Sequence, residues 1–404
     1  MISVEDAFAR ITGAFARLPA EQVALADALG RVLAADVVSR RTQPPADVSA
    51  MDGYAVRATD VAKVPVTLTQ IGAAPAGAAF EGTVGKGETV RIFTGGVMPA
   101  GADAVVIQED TEADGDRILI KERAPAGHYV REAGLDFRAG QVGVAAGTRL
   151  GPREIGLAAA MNVPWLSVVR RPRVAILATG DEVVMPGDPA GPDQIMSSNG
   201  LALAGFVRER GGAPIDLGIA RDDEAALRSA AAGARGADLL VTCGGASVGE
   251  HDLIQSALKP DGLDVDFWKI AMRPGKPLIF GRLGETPLIG LPGNPVSSLV
   301  CAILFVGPAI DAMLGLDPGA ERTVTVALGA DLGENDRRQD YLRATLARDA
   351  SGALVATPFE RQDSSMLSRF VDADCLIVRA PHAAPVKAGA TVEAILLPSG
   401  ARVA

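Results

Sequence analysis

Apolar residues recur at helical spacing at the start of the chain. Val4, Ala7, Phe8, Ile11, Phe15 and Leu18 form one stripe, and Ser3-Val4-Glu5-Asp6 before it reads as a capping box. A second apolar stretch, Val23 to Val38, extends the expectation of a mostly helical segment to about residue 43. Beyond Pro44-Pro45 the period shortens. Val64–Ile71, Thr89–Phe93, Ala104–Gln108 and Arg117–Lys121 read as short strands separated by Gly and Pro. Arg149–Met161 reads as a helix that returns to the N-terminal segment, so the β-rich stretch looks inserted.

From Arg173 strands and helices alternate. Val174–Leu177, Ile215–Ile219, Asp238–Thr242 and Val265–Ile270 read as strands, as do Leu278–Phe280 and Leu288–Ile289. Leu201–Arg210, Asp223–Ala234 and Asp252–Leu258 read as helices, and a long helix begins near Pro295. Such alternation predicts parallel strands joined by right-handed crossovers. After Leu316-Asp317-Pro318 the helices are expected to stop. Thr323–Leu328, Tyr341–Ala347, Leu354–Thr357, Cys375–Arg379 and Thr391–Leu397 predict an all-β tail.

At 404 residues the chain exceeds one ordinary core. With 48% apolar and 22% charged residues it has a globular profile. Its net charge of -10 argues against nucleic acid and anionic membranes as partners, while backbone N–H groups could still hold a small anion. Three scattered cysteines, Cys243, Cys301 and Cys375, suit packing in a reducing compartment. The acidic N-terminus does not read as a signal peptide. The most apolar run, Leu299–Val306, meets Gly307-Pro308 and falls short of the roughly 20 residues that span a bilayer. The expected location is the cytoplasm.

Five segments carry candidate chemistry. Gly244-Gly245-Ala246-Ser247-Val248-Gly249 follows a strand and precedes a helix. It is either a tight turn or a nest of N–H groups for an anion, and it is neither a P-loop nor a dinucleotide fingerprint. Thr179-Gly180-Asp181-Glu182 ends the first strand of the same domain. Glu182, Asp222 and Asp252 lie at the ends of three strands and could converge as oxygen ligands for Mg²⁺, each alone being equally a cap or a solvated charge. Lys269, Arg273 and Lys276 flank a Pro-Gly turn, suited to an oxyanion or simply to solvent. Leu291-Pro292-Gly293-Asn294-Pro295 is a rigid helix entry. In the β-rich stretch, Pro44 to Ala55 and Phe93 to Gly96 read as loops. Only three histidines are present, and none sits in a plausible triad.

Together these segments resemble the molybdenum insertase family, molybdopterin molybdenumtransferase, to which the gephyrin E-domain is related. The resemblance runs over nearly the whole chain. It implies a multidomain α/β plus β architecture. In that plan a helical linker domain comprises residues 1–46 with 139–168, and 47–138 is an inserted β-rich module. Residues 169–317 form a mostly parallel α/β molybdopterin-binding domain, and 318–404 a small β-barrel. The implied reaction inserts molybdate into the dithiolene of adenylated molybdopterin and releases AMP, with Mg²⁺, in a cytoplasmic homodimer. Apo-molybdoenzymes and other cofactor-biosynthesis proteins are implied as further partners.

The resemblance carries catalytic roles onto Asp52, Thr94, Asp136, Glu182, Asp222, Lys269, Arg273, Lys276, Pro292 and Pro295. Substrate binding falls to Arg131, Gly244, Gly245, Ser247, Gly249, Lys276, Gly293, Asn294 and Ser365, and the metal to Glu182, Asp222 and Asp252. Asp52 and Thr94 would reach the site across the dimer interface. The sequence departs from the family pattern at Leu135, where Glu or Gln is usual, and at Ala246, where Val is usual. The alternatives are a non-catalytic scaffold of the gephyrin-E kind and a Mg²⁺-dependent nucleotide pyrophosphatase.

Overall fold

The computed structural model describes residues 1–244, 253–319 and 323–397. The chain divides into two compact units, Gln22–Val168 and Met1–Glu21 with Val169–Ala404.

In the first unit six strands form one sheet. Their order is Ala104–Ile107, Gly53–Val56, Glu88–Ile92, Val66–Ala74, Arg117–Ile120 and Thr111–Asp114. Both faces are covered. Tyr54, Val56, Ala104 and Val106 join one apolar cluster, and Ala55 and Val105 join the other. Period-2 alternation therefore splits these two strands between two cores. This explains why Gly53–Val56, read from composition as part of a loop, is a fully buried strand. A Cβ at Gly53 would run into the Val106 carbonyl, so the residue after Asp52 has to be glycine for the two strands to pair.

The expected helical linker is mostly not helical. In residues 22–46 the helical content is a 3-10 turn, Leu25–Asp27, and the returning segment contributes Pro152–Ala160. These positions pair instead: Val37–Val38 lies against Val142–Val144, Val32 bridges Arg149, and Leu33 bridges Val168. Ala28, Leu33, Val37, Phe137, Leu150 and Ala158 bury one another in a third cluster. Long-range pairing has overridden local helical periodicity here. The one N-terminal helix, Val4–Gly13, is capped by Ser3, whose hydroxyl accepts from the Asp6 N–H at 2.9 Å. It stops short of Phe15 and Leu18 and belongs to the second unit, where Ile2 N–H donates to the Lys269 carbonyl.

The α/β domain holds a six-stranded sheet. Its order is Ala213–Ala220, Arg173–Thr179, Leu239–Cys243, Thr286–Leu291, Pro277–Leu283 and Leu263–Lys269. The first four strands are parallel, and Pro277–Leu283 is antiparallel to both of its neighbours. The exception has a simple cause. Only Gly284 and Glu285 separate Leu283 from Thr286, and so short a link makes a hairpin, never a parallel crossover. Arg173–Thr179, first in the chain, lies between the next two in chain order, Ala213–Ala220 and Leu239–Cys243, so the connections run to opposite sides of it. Its carboxyl end is a topological switch point, where open α/β sheets open a crevice.

The helix that begins at Pro295 does not stop at Gly307-Pro308. It runs to Leu314, 20 residues in all, and is apolar and long enough to cross a membrane, with 83% of its most apolar window buried inside the protein. Proline lacks an N–H, and its ring would strike the carbonyl four residues back in an α-helix. The wider π turn at Ala302–Val306 precedes it and accommodates the ring.

The tail strands Gln339–Arg348, Leu354–Pro358, Val324–Leu328, Thr391–Leu396 and Cys375–Arg379 close on themselves through the pairing of Cys375–Arg379 with Gln339–Arg348. Val326, Leu328, Ala344, Ala356 and Ile377 fill this five-stranded barrel. One short helix, Leu367–Val371, interrupts the expected all-β tail. Met272–Arg273 of the α/β domain adds in parallel to Gln339–Arg348, joining barrel to sheet.

Candidate functional site

At the switch point Thr179 is buried and its carbonyl faces Gly244, whose φ is +93°. A Cβ at Gly244 would lie 2.7 Å from the Thr179 carbonyl oxygen and 2.9 Å from its hydroxyl, so only glycine fits the close approach. A Cβ at Gly293 would stand 3.6 Å from the Gly244 Cα. Gly244 and the Gly293-Asn294 helix entry are thus neighbours. Gly245, Ser247, Gly249, His251 and Asp252 lie outside the described residues.

The carboxylates converge here as the topology predicts. The Asp222 N–H donates to Asp181 Oδ1 at 3.2 Å. Partial burial pushes the Asp222 carboxyl above its ordinary value; a backbone hydrogen bond from Asp181 opposes this, and the charges of Asp181 and Glu182 add to it. Asp181 was not among the expected ligands, although its place at a strand end was the available signal. Asp223, next along, is spent as a helix cap on Ala226 N–H at 2.8 Å. Among the described residues no group of three His, Cys, Asp or Glu is arranged to hold a metal by itself. Thr179 Oγ1, Thr242 Oγ1 and Asn199 Oδ1 are buried without a hydrogen-bond partner among the described residues.

Pro292 is buried and Pro295 opens the long helix, while Gly293 and Asn294 are exposed between them. Asn199 Nδ2 donates to the Gly293 carbonyl at 2.8 Å. The Asn294 side chain donates to Ser364 Oγ at 2.9 Å. Ser365 instead turns its hydroxyl to Asp363 Oδ1 at 2.7 Å. Of the two serines, Ser364 meets the helix entry, and no feature of the sequence separated them.

The basic trio does not act as one free cluster. Arg273 pairs with Asp340, which is buried in the barrel, and with Asp336 at 3.5 Å. The Lys269 ammonium lies 3.8 Å over the Trp268 ring. Lys276 lines an open cavity of about 650 Å³ with Arg337, Arg338, Asp336, Glu334 and His382. The sequence reading missed Arg337 and Arg338, which only the barrel brings beside Lys276.

In the other unit Asp52 and Thr94 meet directly. Asp52 Oδ1 accepts from the Thr94 N–H at 2.7 Å and from its hydroxyl at 2.8 Å. These two bonds, the backbone one first, hold the Asp52 carboxyl below its ordinary value, and the charge of Arg91 adds to them. Arg91 is fixed between the Tyr54 and Phe93 rings, 5.0 Å from each centroid. Arg131 pairs in register with Val48, and the Asp136 N–H donates to the Gln43 carbonyl at 3.0 Å; both side chains are exposed. Leu135 between them is 66% exposed, so it leaves the local backbone intact. Burial pushes the Cys243 thiol up to about 12, as fits a packing residue.

The architecture has known counterparts. A family described as the MoeA N-terminal region (domain I and II) matches residues 2–162. A probable molybdopterin binding domain matches 175–312, and the MoeA C-terminal region (domain IV) matches 325–397. The molybdopterin molybdenumtransferase of a Nostoc species is 39% identical over 359 residues, 86% of this chain and 82% of the relative. That of Haemophilus influenzae is 35% identical and covers 92% of each chain. The solved structure of the molybdopterin biosynthesis MoeA protein of Pyrococcus horikoshii superposes with a TM-score of 0.84 at 34% identity, covering 98% of this chain and 99% of that one. Three family models in order and relatives matched over most of their length cover nearly the whole chain, and the chain belongs to the molybdopterin molybdenumtransferase (MoeA) family.

Proposed function

We propose that this chain is a molybdenum insertase, which transfers molybdate into the dithiolene of adenylated molybdopterin and releases AMP. The observation that carries this reading is the meeting of Asp181, Glu182 and Asp222 with Gly244 and the Gly293-Asn294 entry at one sheet edge. Glycine backbone admits a phosphate closely, and the buried orphan hydroxyls of Thr179 and Thr242 are atoms of the kind a polar ligand satisfies.

The acid cluster fits Mg²⁺. Like charges crowd Asp222, a crowding that a cation relieves, and Mg²⁺ typically takes one or two protein carboxylates with phosphate and water completing the shell. Glu182 and Asp222 would hold it, with Asp181 beside them; Asp252 remains an expected ligand outside the described residues. When bound, the ion supplies charge neutralisation for the pyrophosphate. Lys269 and Lys276 would draw molybdate and balance charge on the leaving phosphate. Arg273 would hold the barrel against this edge through Asp340 in addition to any role toward the anion.

The homodimer is part of the proposal. Asp52 and Thr94 would act on the α/β domain of a second protomer, with the ionised Asp52 presented by Thr94. Large apolar side chains left exposed on the first unit, among them the cross-strand pair Val38 and Val142, and Trp165, support a covering partner.

Purified chain with Mg²⁺ and adenylated molybdopterin is expected to release AMP only when molybdate is added, and to yield cofactor that activates an apo-molybdoenzyme. AMP release independent of molybdate would make it a pyrophosphatase. Release no faster than the protein-free control would leave a scaffold.

A further inference from the structure

The long helix at the site starts without a cap of its own. A helix leaves its first N–H groups without internal acceptors, and Asn294, at the cap position, makes no side-chain bond to them. The acceptor comes from the barrel. Val296 N–H donates to the Ser364 carbonyl at 3.1 Å, while Asn294 Nδ2 donates to the Ser364 hydroxyl. One barrel loop thus supplies both bonds at the entry that stands beside Gly244.

That loop is held to the barrel strand by the amide of Gln362 and the guanidinium of Arg343. Gln362 Oε1 accepts from the Arg343 N–H at 3.0 Å and from Arg343 Nε at 3.3 Å. Gln362 Nε2 donates to the Arg343 carbonyl and to the Phe359 carbonyl, both at 2.9 Å. Two donors and two acceptor sites are all that a glutamine amide has, and all four are used. Arg343 is 2% exposed and sends Nη1 to the Met366 carbonyl at 3.2 Å. It therefore grips the loop at positions 362 and 366, with Ser364 between them.

We infer that Gln362 is a positioning residue for the reaction: it locks the Ser364 loop to the barrel strand at Arg343, and the loop fixes the helix entry that places Gly293 against Gly244. Gln362 acts through Ser364 and touches no reacting group. The inference rests on the proposed insertase activity for its kinetic consequence, while the lock itself has an independent readout.

The test uses the full chain and the variants Gln362→Met, Ser364→Ala and the double substitution. Hydrogen exchange at Val296 is expected to quicken about tenfold in Gln362→Met, the scale of losing one net hydrogen bond, while Cys375–Arg379 and Thr391–Leu396 stay protected. Molybdate-dependent AMP release should show a kcat lower by about tenfold, with KM changed far less. Adding Ser364→Ala to Gln362→Met should cost no more than about twofold further, since both act on one contact. Unchanged exchange at Val296, quickened exchange with normal kcat, or independent multiplication of the two losses would each overturn the inference. Should Gln362→Met unfold the barrel, Ser364→Ala decides alone: a normal kcat refutes the role. If the unsubstituted chain releases no AMP, the reaction has failed, and exchange at Val296 still judges the lock.

Discussion

Gly244 offers the sharpest test of the site's construction, because a second glycine provides its control. Gly244 and Gly187 have nearly the same φ, +93° and +99°. They differ in what a side chain would meet. A Cβ at Gly187 has nothing within 4 Å, whereas at Gly244 it would press on the Thr179 carbonyl at 2.7 Å. Gly187→Ala should therefore cost only the left-handed conformation, ~1–2 kcal/mol. Gly244→Ala adds a clash with backbone that cannot rotate away, roughly 1–3 kcal/mol more by analogy with overpacked cores. The chain holds two tryptophans, Trp165 and Trp268, and Trp268 lies in the α/β domain on Leu263–Lys269. In a Trp165→Phe background its fluorescence reports unfolding of that unit alone. The midpoint of Gly244→Ala should fall below that of Gly187→Ala by about 1 M urea. AMP release should fail in Gly244→Ala and persist in Gly187→Ala, because relief of the clash moves Thr179 and the strand end that carries Glu182. Equal midpoints, or full turnover by Gly244→Ala, would refute the close-approach argument.

Two further outcomes are expected. Asp52, its carboxyl lowered by the Thr94 amide and then the Thr94 hydroxyl, should titrate below an ordinary aspartate when followed by carboxyl NMR. In Thr94→Ala it should move up yet stay lowered, since the amide remains. A depressed folded value stabilises above the unfolded one and is lost as pH falls through it, so the difference between Thr94→Ala and the parent should vanish in acid; an Asp52 titrating normally in the parent would end this account. Arg273→Ala should destabilise the unit by about 1–2 kcal/mol in the same urea assay, discounted for the exposure of Arg273, because it strands Asp340 in the barrel. Arg273→Lys should recover part of this, and a loss of turnover with no shift in midpoint would show Arg273 to be a substrate contact only.

Much of this protein is local in origin, and local features are what a sequence displays. The Ser3 cap, the alternation from Arg173 onward, the five tail strands and the proline-flanked entry at Asn294 each follow from neighbours within a few residues. The strand-end rule likewise brings Glu182 and Asp222 together, because parallel topology sends every strand's carboxyl end to one edge.

The rest was decided by partners distant in the chain. Val32, Val37 and Val38 are β-branched residues whose pairing with Arg149, Val144 and Val142 outweighs a weak helical period. Gly53–Val56 looked like a loop because a strand buried on both faces has no alternating polarity to betray it. Gly307-Pro308 looked like a stop, but the π turn before it is stabilised by a surrounding core. The basic trio looked free because Asp340 lies far along the chain from Arg273. Ser364 and Ser365 are chemically identical, and only the folded barrel loop turns one toward Asn294 and the other toward Asp363. Sequence thus determined which chemistry gathers at the sheet edge. Tertiary structure decided which side chains remain available to perform it, since burial, pairing and close approach are properties of neighbours in space.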